Sequence, residues 1–419
     1  MPAIDFGNLL GVLVIALLAP LALGFAPRLK VPAVVLEILL GVLVGPSALG
    51  WLEPDLSIQI VALLGLAMLL FLAGLEVDVR ALGGGLLPLA VAGFVLSLLL
   101  GWGAGLGLSA LGWVNDPLLL AVTVSATSLG LVVAVLKDAG RLTTPLGQTT
   151  IAASSLADFA AVLLLSLLFS ADGEGTGSQL ALFGLFAGIV AIVGLAAATT
   201  SRNLRLGGVL LLLQDTTAEI RVRAAMVLLI AFAVLAERLG LESILGAFLA
   251  GAAVAMLDRD TSSHPQFHAK LDAIGYGFLI PVFFIASGMR LDVSALVHSP
   301  EQLLRLPVYV LVLLLARGLP AALYVRRLGR AGAVAAGLLQ ATSLPFIVAA
   351  TQIGTLTGRM DPQTATGLVC AGLVSVLVFP ASAIAVVTLS GSRGQLLPEG
   401  RGPHRPGGDM DQPDSEGEP

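Results

Sequence analysis

Apolar stretches long enough to cross a membrane alternate with short polar loops along almost the whole chain. A helix needs roughly 20 apolar residues to cross about 30 Å of hydrocarbon. Backbone polar groups cannot reach water inside a bilayer, so such stretches are expected to be α-helical. The sequence therefore predicts an all-α polytopic membrane protein with about 13 spans, at about 8–26, 33–50, 57–77, 86–112, 117–137, 145–170, 179–200, 220–238, 241–257, 273–296, 303–325, 330–355 and 363–389.

Two segments fall outside this pattern. Residues 206–214 are apolar but too short to cross, and we expect them to lie at the membrane interface. Residues 391–419 are rich in Gly, Pro, Asp and Glu, which cannot build a core, so they are predicted to form a disordered cytoplasmic tail.

Composition and charge support this architecture. Apolar residues make up 57% of the chain and charged residues 12%, about half the charged share of a soluble domain. With the N-terminus outside, most Lys and Arg residues fall in inner loops, and few fall outside. The sequence thus predicts an odd number of spans in the inner (plasma) membrane, with the C-terminus cytoplasmic. The small net charge of −5 gives no indication of nucleic-acid binding.

Two short sequences recur at nearly the same offset. Residues 74–82 (GLEVDVRAL) close the third predicted span, and residues 288–296 (GMRLDVSAL) close the tenth. Residues 126–129 (ATSL) lie in the middle of the fifth span and recur as 341–344 in the twelfth. The matched spans are seven apart, so the two halves have opposite orientations. The pattern predicts inverted repeats, as in many secondary transporters.

The repeated ATSL segment lies at the predicted midplane, next to residues that interrupt helices. Gly130 follows it in one half and Pro345 in the other. Two facing broken helices would offer helix ends and hydroxyls to a small cation. The alternative is that such residues serve only close packing, and the duplication favours function over packing. The candidates on the breaks are Thr127, Ser128, Thr342 and Ser343.

Asp158 lies close to the centre of the sixth span. A charge at the bilayer centre costs at least about 2.5–3.5 kcal/mol, so such a residue is usually functional. A carboxylate can bind either an alkali cation or a proton, and Ser154, one helical turn earlier, could complete the coordination with Thr127 and Ser128. The alternative is a polar residue that only joins helices.

Arg317 is the second charge within a span, and it is expected to pair with Asp158 when no ion is bound. The alternative is that it only braces the bundle. Glu37, within the second span, and Glu76, at the end of the third, are accessory candidates. Charges at span ends, which also include Arg290, are cheap and usually structural.

Several of these segments resemble the Kef-type monovalent cation:proton antiporters, the second cation:proton antiporter family of the sodium/hydrogen exchanger superfamily. The matching motifs run over most of residues 1–390 and include 28–32 (RLKVP), 71–78 (FLAGLEVD), 125–129 (SATSL), 136–140 (LKDAG), 247–251 (AFLAG) and 281–284 (PVFF).

The resemblance implies a homodimer in which a core part moves against a dimerisation part. The core part would be about 86–170 and 303–389, and the dimerisation part about 1–80 and 220–298, with a linker helix at 179–200. Asp158 would be the ion-binding aspartate, and Arg317 would occupy the position of the basic residue in the helix before the second broken helix.

The expected function is exchange of Na⁺ or K⁺ for H⁺ in pH homeostasis, without a cofactor or a resident metal. Many relatives carry Asp or Asn before the aspartate, but here Ala157 stands there. A single carboxylate and a fixed arginine predict electroneutral exchange. The alternatives are a sodium-coupled solute symporter and a sensor or channel that has lost transport. An enzyme is not expected, since no second intramembrane Asp or His is placed for proteolysis.

Overall fold

The structure is a computed structural model that describes residues 6–25, 32–76, 86–169, 219–239, 241–257, 265–291 and 300–395, together with residues 184 and 188. Within these ranges the chain is helical and contains no strand. The predicted linker helix at 179–200 and the short segment at 206–214 lie outside the described residues, apart from the two isolated positions.

The described helices correspond to the other twelve predicted spans, which confirms the all-α membrane architecture. Their bounds are α1 Phe6–Phe25, α2 Ala33–Val44, α3 Leu56–Leu75, α4 Leu87–Ala110, α5 Pro117–Ser125, α6 Leu129–Asp138, α7 Pro145–Phe169, α8 Ile220–Arg238, α9 Ser243–Leu257, α10 Pro265–Ile274, α11 Ile280–Met289, α12 Pro300–Gly318, α13 Val325–Gln340, α14 Pro345–Leu356 and α15 Pro362–Gln395.

Several boundaries differ from the prediction, and two of the differences are helical extensions. The tenth span begins at Pro265 instead of 273, because α10 is an amphipathic helical extension joined to α11 by a π-helical segment, Gly275–Leu279. The last helix runs to Gln395, so the first residues of the predicted disordered tail are helical. Both cases have the same reason. Hydropathy marks where the apolar sequence ends, whereas backbone hydrogen bonds can continue a helix beyond it.

Both repeated ATSL segments interrupt a helix, as predicted. Residues 126–128 are non-helical between α5 and α6, and residues 342–344 are non-helical between α13 and α14. Gly130 and Pro345 lie just inside the helices that follow the breaks, at positions two and one of α6 and α14. Proline is well suited to that first position, because the N–H that it lacks would have no hydrogen-bond partner within the helix.

The inverted repeat is also visible in how glycines pack. Gly251 of α9 lies against the Phe71 carbonyl of α3, and Gly41 of α2 lies against the Ile285 carbonyl of α11. Phe71 and Ile285 are separated by the same offset as the first repeated sequence, in which Gly74 matches Gly288. Both contacts join one half of the chain to the other, and in each of them a glycine lets the neighbouring helix approach to backbone contact.

The helices pack in two groups that meet along α7 and α9. One group contains α2 and α3 packed on α11 and α9, with α1 beside α2 and α8 beside α9. The other contains α4–α7 and α12–α15, in which α4 packs on α5 and α13 on α15. Both broken helices belong to the second group.

The close approach of α3 and α9 generates a stability prediction. In Gly251→Ala, the added methyl group would lie inside the contact distance of the Phe71 carbonyl, so α3 and α9 must separate. We expect a loss of about 1–3 kcal/mol, seen as a lower unfolding midpoint of the purified protein in detergent. The matched control is Gly103→Ala in α4, where a methyl group meets nothing within 4 Å. Equal midpoints for both variants would contradict the packing described here.

Candidate functional site

The two helix breaks contact each other directly. The Ser128 N–H donates to the Thr342 carbonyl at 2.9 Å, and the Thr127 hydroxyl donates to the Gln340 carbonyl at 2.8 Å. A helix break leaves backbone groups without their helical partners, and here each break supplies partners for the other. The repeated sequence thus brings the two halves of the chain together at one point.

Asp158 of α7 binds the first break through both carboxylate oxygens. Oδ1 accepts the Thr127 N–H at 2.8 Å, and Oδ2 accepts the Leu129 N–H at 3.2 Å. Leu129 is the first residue of α6, so the carboxylate lies at the positive end of that helix. Each oxygen keeps a further lone pair for a cation or a proton. The preceding residue, Ala157, is fully buried and offers no oxygen ligand from its side chain.

Arg317 of α12 is 1% exposed and lies between the breaks, where it binds Thr127 of the first and the Gln340 carbonyl before the second. Its Nε donates to the Thr127 hydroxyl at 3.0 Å and lies 3.4 Å from the Gln340 carbonyl, and Nη2 also donates to the Thr127 hydroxyl. Nη1 donates to the Ser97 hydroxyl of α4 at 3.2 Å. Gln340 ends α13, so the guanidinium lies at the negative end of a helix.

The expected direct salt bridge between Asp158 and Arg317 is not among the ion pairs of the described residues. Thr127 lies between them, since its amide binds the carboxylate and its hydroxyl accepts from the guanidinium. The sequence could not show this arrangement. Both charges were conspicuous in apolar segments, but their separation depends on how the break is folded.

The structure brings only part of the predicted hydroxyl set to Asp158. The Thr127 hydroxyl is already occupied by Arg317 and Gln340, whereas Ser128 borders the same open space as the carboxylate. The Ser154 hydroxyl, one turn earlier on α7, is buried and has no hydrogen-bond partner among the described residues. It therefore keeps its capacity to bind.

The second break has its own partner, Ser375 of α15, which the sequence analysis missed. The Ser343 N–H donates to Ser375 Oγ at 3.2 Å, much as Thr127 donates to Asp158. Ser375 follows Asp158 at nearly the offset that relates the two repeats. Ser375 therefore takes a place in the second half similar to that of Asp158, with a neutral side chain, although it binds the residue that matches Ser128. Ser97 was missed too, because a single serine in an apolar helix gives no distinctive signal.

A cavity of about 610 Å³ connects Asp158 with one face of the protein, and we call it the Asp158 cavity. It passes along α6 to Lys137 and is also lined by three ionisable side chains of other helices, Glu76, Asp272 and Tyr276. Gly130 leaves room in this passage, since a Cβ there would lie 3.8 Å from the Glu76 carboxylate oxygens. Of the two accessory candidates, Glu76 lines the cavity, whereas Glu37 is buried in α2 and is not among the described lining residues.

Comparisons with known proteins agree on one family. The family model described as "Sodium/hydrogen exchanger, transmembrane" matches residues 13–389. The chain is 31% identical over 392 residues to YjbQ of Bacillus subtilis (strain 168), whose name assigns it to the Na⁺/H⁺ antiporters, with 89% of this chain and 62% of that protein covered. It is 27% identical to the Na⁺/H⁺ antiporter of Enterococcus hirae, with 84% of this chain and 91% of that protein covered.

The fold also matches a solved structure. That structure is the sodium proton antiporter MjNhaP1 from Methanocaldococcus jannaschii at pH 8, with a TM-score of 0.62 and 17% identity. The match covers 93% of this chain and 98% of that one. At 17% sequence identity, this structural similarity shows that the two proteins share a fold.

The position of Thr127 between two opposite charges generates a second prediction. Thr127→Val keeps the shape and the N–H but removes the hydroxyl that accepts from buried Arg317. We expect a loss of about 1.5–3 kcal/mol, since a charged donor loses its acceptor. The control is Thr123→Val, a fully buried threonine whose hydroxyl bonds only within its own helix, to Leu119. In thermal unfolding in detergent, Thr127→Val should have a clearly lower midpoint temperature than the control. A lower midpoint for the control would contradict the role of Thr127 as the link between Asp158 and Arg317.

Proposed function

The chain belongs to the sodium/hydrogen exchanger family, and from that premise we propose that it exchanges a monovalent cation, Na⁺ or K⁺, for H⁺ by alternating access. The observation that carries this proposal is the Asp158 carboxylate. It is held by two backbone N–H groups at a helix end, with lone pairs left over, at the end of an open cavity.

One carboxylate can drive exchange because a proton and a cation neutralise the same charge. An ionised carboxylate that is left empty while the site moves through a dry interior is costly. Binding of either ligand removes that cost, and the two ligands exclude each other. The oxygens of Ser128 and Ser154 are the neighbouring candidates to complete a shell around an alkali cation.

We further propose that exchange is electroneutral, with one cation for each proton. The residue before Asp158 in the sequence is Ala157, not a second carboxylate or an amide. The Arg317 guanidinium stays charged, and its hydrogen bonds go to neutral oxygens of Thr127, Ser97 and Gln340. The arginine therefore balances the charge of the site without taking part in the proton count.

The orientation, assembly and subfamily are also proposals. The excess of Lys and Arg on the side of Lys137 favours a cytoplasmic opening for the Asp158 cavity, with the N-terminus outside and the protein in the plasma membrane. The two packing groups fit a core (α4–α7 and α12–α15) that moves against a scaffold (α1–α3 and α8–α11). The motifs at 71–78 and 125–129 favour the Kef-type branch, and with it a homodimer.

A transport-inactive sensor is the second candidate, and Ala157 is the observation that favours it. Without a neighbouring oxygen at that position, Asp158 has fewer ligands for a dehydrated cation. A sensor would still bind protons at Asp158 but would not couple them to a cation flux.

Reconstitution separates these candidates. Purified protein in liposomes with an internal pH dye and an imposed proton gradient should dissipate the gradient when Na⁺ or K⁺ is added, and clamping the membrane potential should not change the rate. Asp158→Asn should reduce the rate at least about a hundredfold, because a neutral amide cannot exchange a proton. Ser375→Ala, the matched change in the second repeat, should keep most of the activity. Wild-type protein that is inactive with every alkali cation would favour the sensor.

Competition at one carboxylate also predicts the pH dependence. When protons occupy the site, each unit fall in pH on the cation side should raise the half-saturating cation concentration about tenfold. The maximal rate should change much less over the same interval. The measurement is a set of cation titrations of the exchange rate at several pH values. A half-saturating concentration that does not depend on pH would exclude a shared site.

A further inference from the structure

A second cavity, of about 250 Å³, lies at the other end of α11, and we call it the Arg290 cavity. It is lined by residues of three helix ends, those of α11, α14 and α15, and these residues include Ser287, Arg290, Thr351, Gln352 and Thr366. Asp158 is not among its described lining residues. From its place at a span end Arg290 was expected to be structural, and nothing in the site described above uses it.

The inverted repeat relates this cavity to the Asp158 cavity. Glu76 and Arg290 are separated by the same offset as Gly74 and Gly288 in the repeated sequence. Lys137 and Gln352 are separated by the offset of the two breaks. The Asp158 cavity thus lies between the end of the third span and α6, the helix that follows the first break. The Arg290 cavity lies between the end of the tenth span and α14, the helix that follows the second break. The two cavities are the same feature of the two repeats, at opposite faces.

The charges of the two cavities are opposite in sign. The Asp158 cavity contains the carboxylates of Glu76 and Asp272 beside Lys137. The Arg290 cavity contains Arg290, and no carboxylate is found among its described lining residues. At the position of Lys137 it has Gln352, whose Oε1 is buried and has no hydrogen-bond partner among the described residues. Counted over the described lining residues, one mouth is therefore net acidic and the other net basic.

We propose that the Arg290 cavity is the narrowed access route to Asp158 from the opposite face, and that Arg290 weakens the binding of alkali cations that enter there. The inference rests on the proposed exchange function and deepens it, since it assigns different cation affinities to the two faces. Like charge lowers the local cation concentration in a confined cavity, whereas carboxylates raise it. The exchanger would bind cations well from the Asp158 cavity and release them readily past Arg290.

The test measures cation affinity separately at each face. Everted and right-side-out membrane vesicles containing the full chain expose one face each, and the half-saturating Na⁺ and K⁺ concentrations are measured on both. Arg290→Gln should lower the half-saturating cation concentration at the Arg290 face by about three- to tenfold. At the other face this concentration should change by less than about twofold. Arg290→Lys should behave as wild type. Glu76→Gln should raise the value at the Asp158-cavity face only.

A control charge and a screening experiment separate electrostatics from altered packing. Arg359 follows α14 at the same face, is paired with Asp116 at 3.2 Å, and is not among the described lining residues of the cavity. Arg359→Gln should therefore leave both values unchanged. Added choline chloride should lower the half-saturating cation concentration of the wild type at the Arg290 face, because salt screens the repulsion by Arg290. It should raise this concentration at the other face, because salt also screens the attraction by the carboxylates there. This last measurement needs no variant.

The outcomes are distinguishable. Wild-type vesicles that exchange no cation at either face would overturn the proposed function and the inference with it. Wild-type exchange in which Arg290→Gln changes neither face, or both faces equally, would overturn the role of Arg290 and leave the exchange function standing. A shift confined to the Arg290 face that shrinks with added choline chloride is the result expected here.

Discussion

The structure depends on satisfying the backbone groups that two broken helices leave unpaired within the membrane. A continuous helix bonds its own backbone, but a break exposes N–H and C=O groups that need other hydrogen-bond partners. Here Asp158 accepts from the N-terminal end of α6, and Arg317 lies against the C-terminal carbonyl of α13. Thr127 connects the two through its amide and its hydroxyl. The charges that would carry the ion chemistry are thus also the groups that hold the breaks in place.

The inverted repeat explains why the site has two halves, and the side chains explain why the halves differ. Both breaks and both glycine-mediated helix contacts recur at nearly one offset. The matched positions have diverged where charge matters, with Asp158 against Ser375 at the breaks and Glu76 against Arg290 at the cavity mouths. Backbone symmetry supplies two cavities, whereas the loss of symmetry in the side chains leaves one ionisable carboxylate at the breaks.

The sequence was most informative where it was either repeated or out of place. The ATSL duplication located both breaks, and Asp158 and Arg317 were evident because charges are rare in apolar spans. The pairing of those two charges stays a prediction, and the place of Thr127 between them depends on the fold of three residues at a break. Ser97 and Ser375 were missed because a hydroxyl in a membrane helix usually bonds its own helix. Helix ends were uncertain because hydropathy does not report where backbone bonding stops.

The central claim is that one carboxylate binds either a proton or a cation. It is tested most directly by the protons released when Na⁺ or K⁺ is added to the purified protein in weakly buffered detergent with a pH indicator, and cation binding is measured in parallel. At a pH low enough for the empty Asp158 to carry a proton, about one proton should be released for each cation bound, and none from Asp158→Asn. Cation binding without proton release, or release that persists in Asp158→Asn, would contradict it.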